Sequence, residues 1–299
     1  MRRLILVFLI LFLLTPSFAQ QGLFGAFAST GPLVGWSVRA LGMGGAFSAL
    51  EGDLEGALWN PASISRLLDS QLSIMYNYSP LTFEGFGFGT NMYITSYHIL
   101  FGIPDRGLWS SGVFYTGLSP IEDLGILYRE NQLGYTVAKS LDFLGIKNIA
   151  LGFNFKRLWV NMPSPYKAEG WSIDLGIILR FSSTLKLGFS AQNLFASLDW
   201  YDGEKISKEP PPANFKMGIC YQTERLTFAF DLDFPSLYYH IGGEYFFDPI
   251  FFRIGWNIDS PTLGLGFRSP DGRWRIDYAL LYSLGIGGLN HRLGISMFF

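Results

Sequence analysis

Three histidines, one cysteine and a glycine cluster are the places where this 299-residue chain could hold a reactive centre. His98, His240 and His291 lie far apart, and none has a cysteine or carboxylate at the spacing of a metal-ligand set. No metal centre and no cofactor are expected. A serine hydrolase would need a marked nucleophile beside a histidine and an acid, and no segment marks one, so no enzyme is expected. The histidines read instead as solvated lumen or rim groups, His240 near Tyr238 and Glu244, His291 beside Arg292. The run Gly42-x-Gly44-Gly45 lacks the preceding strand and the spacing of a phosphate-binding loop. Close backbone approach against a wall explains it better. Cys220, the single cysteine, has no partner for an internal disulfide and sits between Ile219 and Tyr221 as a small inward residue.

The elements that would hold these residues are strands with two unlike faces. Trp274, Ile276, Tyr278, Leu280 and Tyr282 alternate with Arg273, Arg275, Asp277, Ala279 and Ser283, and Leu281 is the exception. A period of two with aromatic and aliphatic residues on one side and charges on the other suits lipid outside and a polar lumen inside. The same pattern recurs as Phe215, Met217, Ile219, Tyr221 against Lys216, Gly218, Cys220, Gln222. Composition agrees: 49% hydrophobic, 17% aromatic, 35 glycines and only 15% charged, where soluble domains carry about 25% charge. A net charge of −2 argues against nucleic acid as a partner. Past residue 20 no apolar run is long enough for a membrane-spanning helix. The expected class is all-β, a transmembrane antiparallel barrel of the bacterial outer membrane, with outer-membrane lipid around it.

Residues 1–19 read as a signal peptide: Arg2 and Arg3, an apolar core from Leu4 to Leu14, and a small-x-small site at Ser17-Phe18-Ala19. From about residue 71 the chain divides into about fourteen strand-like segments, giving a barrel over 68–299. One of these segments is expected to stop at Leu194, with 195–212 as the longest loop. Connections at 182–183, 223–224, 247–249 and 269–271 are short. Those near 79–89, 118–129, 161–169 and 195–212 are longer, the asymmetry expected of periplasmic turns and outer loops. The last strand ends on Phe299, which reads as the signal offered to the barrel assembly machinery.

Residues 20–67 lack alternation and are rich in glycine. Asp53 and Asn60-Pro61 read as caps of two short helical turns, and the segment is expected on the periplasmic side or in the lumen. The inward charges mix signs: Lys156, Asp174, Arg180, Lys186, Lys216, Asp231, Asp233, Glu244, Arg253, Arg268, Arg273, Arg275, Asp277 and Arg292. An ion-selective pore would favour one sign, so mutual neutralisation and hydrogen bonding to the N-terminal segment are expected. Arg39 is a candidate anchor to Asp231 or Asp233.

The run Arg39-Ala40-Leu41-Gly42-Met43-Gly44-Gly45-Ala46-Phe47, followed by Ala57-Leu58-Trp59-Asn60-Pro61-Ala62-Ser63, resembles the FadL-like outer-membrane superfamily, nearest to its PorV/PorQ-type proteins. Ser63 stands where that group usually has glycine. The resemblance implies a fourteen-stranded barrel whose residues 20–67 form a hatch in the lumen, with Arg39, Gly42, Gly44, Gly45, Asn60 and Pro61 in it. It also implies either passage of hydrophobic small molecules or docking of secretion-system proteins. A structural barrel with a sealed lumen is the alternative.

Overall fold

A computed structural model describes residues 35–81, 92–122, 125–126, 129–284 and 288–299. The expected signal peptide, the stretch 20–34 and most of the loop near 79–89 lie outside the described residues. Among the described residues there are sixteen strands. In chain order they are β1 (Gln71–Leu81), β2 (Met92–Ile103), β3 (Ser110–Glu122), β4 (Gly125–Ile126), β5 (Arg129–Ser140), β6 (Ile149–Asn161), β7 (Tyr166–Arg180) and β8 (Leu185–Asp202). They continue as β9 (Glu204–Lys208), β10 (Asn214–Gln222), β11 (Leu226–Phe234), β12 (Tyr238–Phe247), β13 (Ile250–Asn257), β14 (Ser260–Arg268), β15 (Trp274–Ser283) and β16 (Gly288–Phe298). Each barrel strand pairs antiparallel with its sequence neighbours, β16 pairs with β1, and β8 pairs with β10 across the short β9. Fourteen strands therefore close the ring; β4 and β9 are additions at its upper end. "Lower" denotes here the end where Phe299 donates its N–H to Ser70 O at 2.9 Å.

Alternation sets which residues face out. Ile276 and Tyr278 are exposed on the outer surface while Arg275 and Asp277, which alternate with them, are buried within. Leu281, the exception in the pattern, faces inward and joins the apolar cluster of the N-terminal segment. That segment comprises a one-turn helix α1 (Val38–Gly42) and two 3₁₀ turns, Leu54–Leu58 and Pro61–Arg66. Their caps follow from residue type: Asp53 accepts from Glu55 N and Asn60 from Ala62 N, with Pro61 at the first turn position.

Two boundary expectations need correction. Strand β8 does not stop at Leu194 but runs on to Asp202 and turns back as β9, so the longest expected outer loop is largely sheet. The alternation there is hidden by a register irregularity between Ile173 and Leu175, where Asn193 (φ 52°) donates its N–H to Asp174 Oδ1 at 2.8 Å. The asymmetry of connections also holds for half the ring only. The upper turns Pro235–Leu237 and Ile258–Asp259 are as short as the lower ones, while β6 to β9 rise well above them.

Candidate functional site

Residues 36–67 lie against the inward face of the wall, and the fit begins with glycine. Paired across strands, Gly152 and Gly176 form a notch that takes Asn60-Pro61-Ala62; a Cβ on Gly176 would overlap Asn60 Oδ1, and one on Gly152 the Ala62 backbone. The pair Gly188 and Gly218 takes Ser48, and Gly242 with Gly255 takes Met43-Gly44. Gly44 itself needs its freedom, with φ +67° and the Ile241 and Trp256 backbone where a β-carbon would fall. Side chains then satisfy the segment's backbone, which would otherwise be buried without partners. Asp231 accepts the N–H groups of Phe47 and Ser48, each at 2.8 Å. Asn154 donates to Ala57 O at 2.9 Å and Gln192 to Leu58 O at 2.9 Å. Asn60 donates to Ser48 O at 2.7 Å and Ile177 O at 3.2 Å.

Charges close the remaining contacts. Arg39 grips both oxygens of Glu244, at 2.6 and 3.0 Å, and Asp53 at 2.8 Å. Arg253 binds Glu244 at 2.6 Å and Asp277 at 2.7 Å; Arg275 binds Asp277 at 2.6 Å and reaches Asp53 at 3.5 Å. The six groups thus form a closed ring of alternating sign linking α1 and the Asp53 cap to β12, β13 and β15. On the other wall, Arg180 pairs with Glu51 and Lys156 with Asp174 at 2.7 Å. Lys216 pairs with Asp233 and lies 5.1 Å over the Trp59 ring.

Most of the expected inward charges are where alternation puts them. Arg273 is not: its side chain is 81% exposed on the lower turn, because the strand begins one residue later at Trp274. Arg268 also lies at that rim, 4.4 Å over the Phe246 ring. The expected pairing of Arg39 with Asp231 or Asp233 is replaced by Glu244 and Asp53, because Asp231 is taken by backbone N–H groups and Asp233 by Lys216. His98 and His240 are buried rather than solvated. His240 Nδ1 meets Gly44 O at 3.0 Å, and His291 Nδ1 meets the Tyr278 hydroxyl at 2.7 Å on the outer face. Around His98, Ser73 (3.4 Å) and Glu55 (3.3 Å) both meet the same ring nitrogen, Nε2, so the acid does not back the far nitrogen as a proton relay requires. Cys220 is buried, and no cluster of three or more metal-binding side chains occurs among the described residues.

One feature above the N-terminal segment was missed in the sequence. Along β6 and β7 the polarity of the faces inverts. Below, Phe155 and Ile173 face out while Lys156 and Asp174 face in. Above, Arg157 and Glu169 face out, and Leu158, Val160, Ala168 and Leu198 form a buried apolar cluster inside, flanked by Met162 and Trp200. A parity switch at 156–158 and 168–174 is the signal the sequence carries for it, obscured in β8 by the bulge at Asn193. Beneath this cluster a cavity of about 10 Å³, room for roughly one water, is bounded by Leu58, Phe114, Gln132, Asn154, Lys156, Asp174 and Gln192.

No protein-family model and no curated sequence matches the chain. Solved structures do. The Ralstonia pickettii toluene transporter TbuX superposes with a TM-score of 0.62 at 13% identity, over 91% of this chain and 99% of that one. The monoaromatic hydrocarbon channel CymD gives 0.63 at 13%, over 89% and 98%. A Pseudomonas aeruginosa FadL homologue gives 0.59 at 14%, over 89% and 99%. The chain shares their fold, a closed antiparallel barrel of fourteen strands. The ring of charges sits inside it and the inverted sheet stands at its upper end. Among the described residues no helix is long and apolar enough to cross a membrane, and the outward apolar band belongs to strands.

Proposed function

We propose that this chain is a non-catalytic barrel of the bacterial outer membrane that passes hydrophobic small molecules, with its upper end outside the cell. Residues 1–19 are its signal peptide and 20–67 its hatch. The observation that carries this reading is the inversion on β6 to β8. A sheet standing above the hydrocarbon layer turns its charges out and an apolar face in, which gives a greasy molecule a place to leave water above an otherwise polar lumen. The structural neighbours support it in kind, since several are named as transporters or channels of toluene and monoaromatic hydrocarbons. Delivery of secreted proteins rests on the sequence resemblance at 39–47 and 57–63 alone.

Uptake of labelled toluene by cells with and without the gene tests the proposal. Expected is faster uptake with the gene, reduced severalfold by Leu158→Ser with Leu198→Ser. Equal uptake in both strains would sink it. A sealed structural barrel is the reading favoured by the close filling of the lumen. Planar-bilayer recordings on the intact protein and on a version lacking 20–67 bear on it: no conductance in either form counts against a gated pore.

A further inference from the structure

The outward face of the upper sheet carries charges for which passage of hydrophobic molecules has no use. The register of β5 to β8 sets its uppermost outward row as Arg129, Asn161, Lys167 and Tyr201, with Arg157 lower beside Trp171. Arg157 and Lys167 have side chains 56% and 55% exposed, and both must share the single carboxylate of Glu169, at 2.7 and 3.1 Å. Asp199 is already matched by Lys205 at 2.7 Å, and Arg129 donates Nε to the neutral Ser119 hydroxyl at 3.1 Å. Among the residues just named, four cations therefore face two carboxylates. Trp159 lies among them, level with Glu169 and stacked on Tyr115 at 5.9 Å, and below Arg157 an aromatic floor of Tyr135 and Phe155 opens the apolar band. The opposite sector differs. Near its upper turns the described outward residues include Leu237, Tyr239, Leu263, Tyr282, Leu284 and Leu289, with no lysine or arginine among them.

We propose that this face binds the phosphorylated headgroup of an outer-leaflet glycolipid, with Arg129, Arg157 and Lys167 taking the phosphate oxygens and the aromatic floor lying along its acyl chains. Guanidinium groups suit phosphate because their donors match two oxygens at once. Isolated surface charges contribute little in water, but a layer of anionic lipid raises the local concentration of the partner. The height is right as well: the patch begins where the outer surface turns from apolar to charged, the level of the headgroups. The inference rests on the membrane orientation proposed above and is independent of any cargo.

The test uses the full chain purified in detergent and measures binding of lipopolysaccharide against the same lipid stripped of its phosphates. Expected is a preference of roughly tenfold for the phosphorylated form, lost in the triple variant Arg129→Gln, Arg157→Gln, Lys167→Gln. Glu169→Gln, which frees two cations, strengthens binding a few-fold. Each variant is checked for heat-modifiable migration; should the triple variant not fold, the opposite signs expected of Arg157→Gln and Glu169→Gln alone decide the matter. Equal binding of the two lipids, or a preference that survives removal of the cations, overturns the proposal. Failure of an impermeant maleimide to label Lys205→Cys in a Cys220→Ser background on intact cells also overturns it, through the orientation. Absence of glycolipid binding with toluene uptake intact would remove this patch and leave the passage standing.

Discussion

The two walls of the lumen hold residues 36–67 by different physics. On the β12–β15 side the dominant contact is a closed ring of three arginines and three carboxylates, beside the Gly242–Gly255 notch. On the β6–β8 side glycine notches filled by backbone dominate, with amides completing the hydrogen bonds and the Arg180–Glu51 pair beside them. The first wall tolerates no loss of a partner, because a buried charge without its counterion has given up hydration for nothing. The second tolerates no gain of volume, because a β-carbon has nowhere to go. Charge complementarity and shape complementarity can thus be broken separately in one molecule.

The largest effect should come from Glu244→Gln. Glu244 is shared by Arg39 and Arg253, so one substitution leaves two buried guanidinium groups short of their partner. A cost of about 3–5 kcal/mol is expected, the range for breaking a buried pair, read as a lower temperature for loss of heat-modifiable migration. Pairing it with Arg253→Met should recover part of the loss. A double variant as weak as the sum of the singles would mean that the ring does not act as a unit.

Next comes Gly152→Val on the opposite wall. The new side chain must displace the backbone at Pro61-Ala62, an overpacking cost of about 1–3 kcal/mol. Here the expected readout is selective. Protease cleavage within the N-terminal segment should rise while the barrel stays resistant. Cleavage unchanged from wild type would show that the notch is not occupied as described.

A third test uses pH. Burial alone would raise the Glu55 carboxyl, but hydrogen bonds from His98 and Ser37 and the charge of Arg275 outweigh it and hold it down at about 2. A carboxyl depressed in the folded state stabilises above its ordinary value near 4.5 and loses that contribution as pH falls from there towards about 2. Protection of the N-terminal segment should therefore weaken between pH 4.5 and 3, and Glu55→Gln should flatten that part of the profile. A variant with the same acid dependence as wild type would assign the loss to another carboxylate.

Much of this organisation was legible in the sequence, and the failures have physical causes. Alternation located the strands and the inward faces of Lys216, Asp231, Arg253 and Asp277, because a one-residue slip would put charges into lipid. It failed at Arg273, where a turn residue shares the strand's parity but not its wall. It failed again past Leu194, where the bulge at Asn193 shifts the register and the bilayer no longer decides which face is greasy. Composition marked 20–67 as different in kind, and Gly42, Gly44 and Gly45 as sites of close approach. Which carboxylate Arg39 would meet was not legible. That choice depends on the ring bringing Glu244 near in space across 205 residues of chain and on Asp231 being spent on backbone N–H groups.

The smallest effect should be that of Lys186→Met, and it calibrates the rest. Lys186 Nζ lies 3.7 Å from Glu51, at the edge of an ion pair, while Arg180 already reaches both oxygens of the same carboxylate. Its shorter contact is to Gln222 Oε1 at 2.7 Å, a neutral acceptor near the lower end of the barrel. Removing it leaves no carboxylate unmatched, and its aliphatic stem is replaced by one of similar length. The cost should be about 1 kcal/mol or less, in the range of weakly coupled pairs. If Lys186→Met instead destabilised as much as Glu244→Gln, the number of charges lost would matter more than whether their partners stay satisfied, and the distinction drawn between the two walls would fail.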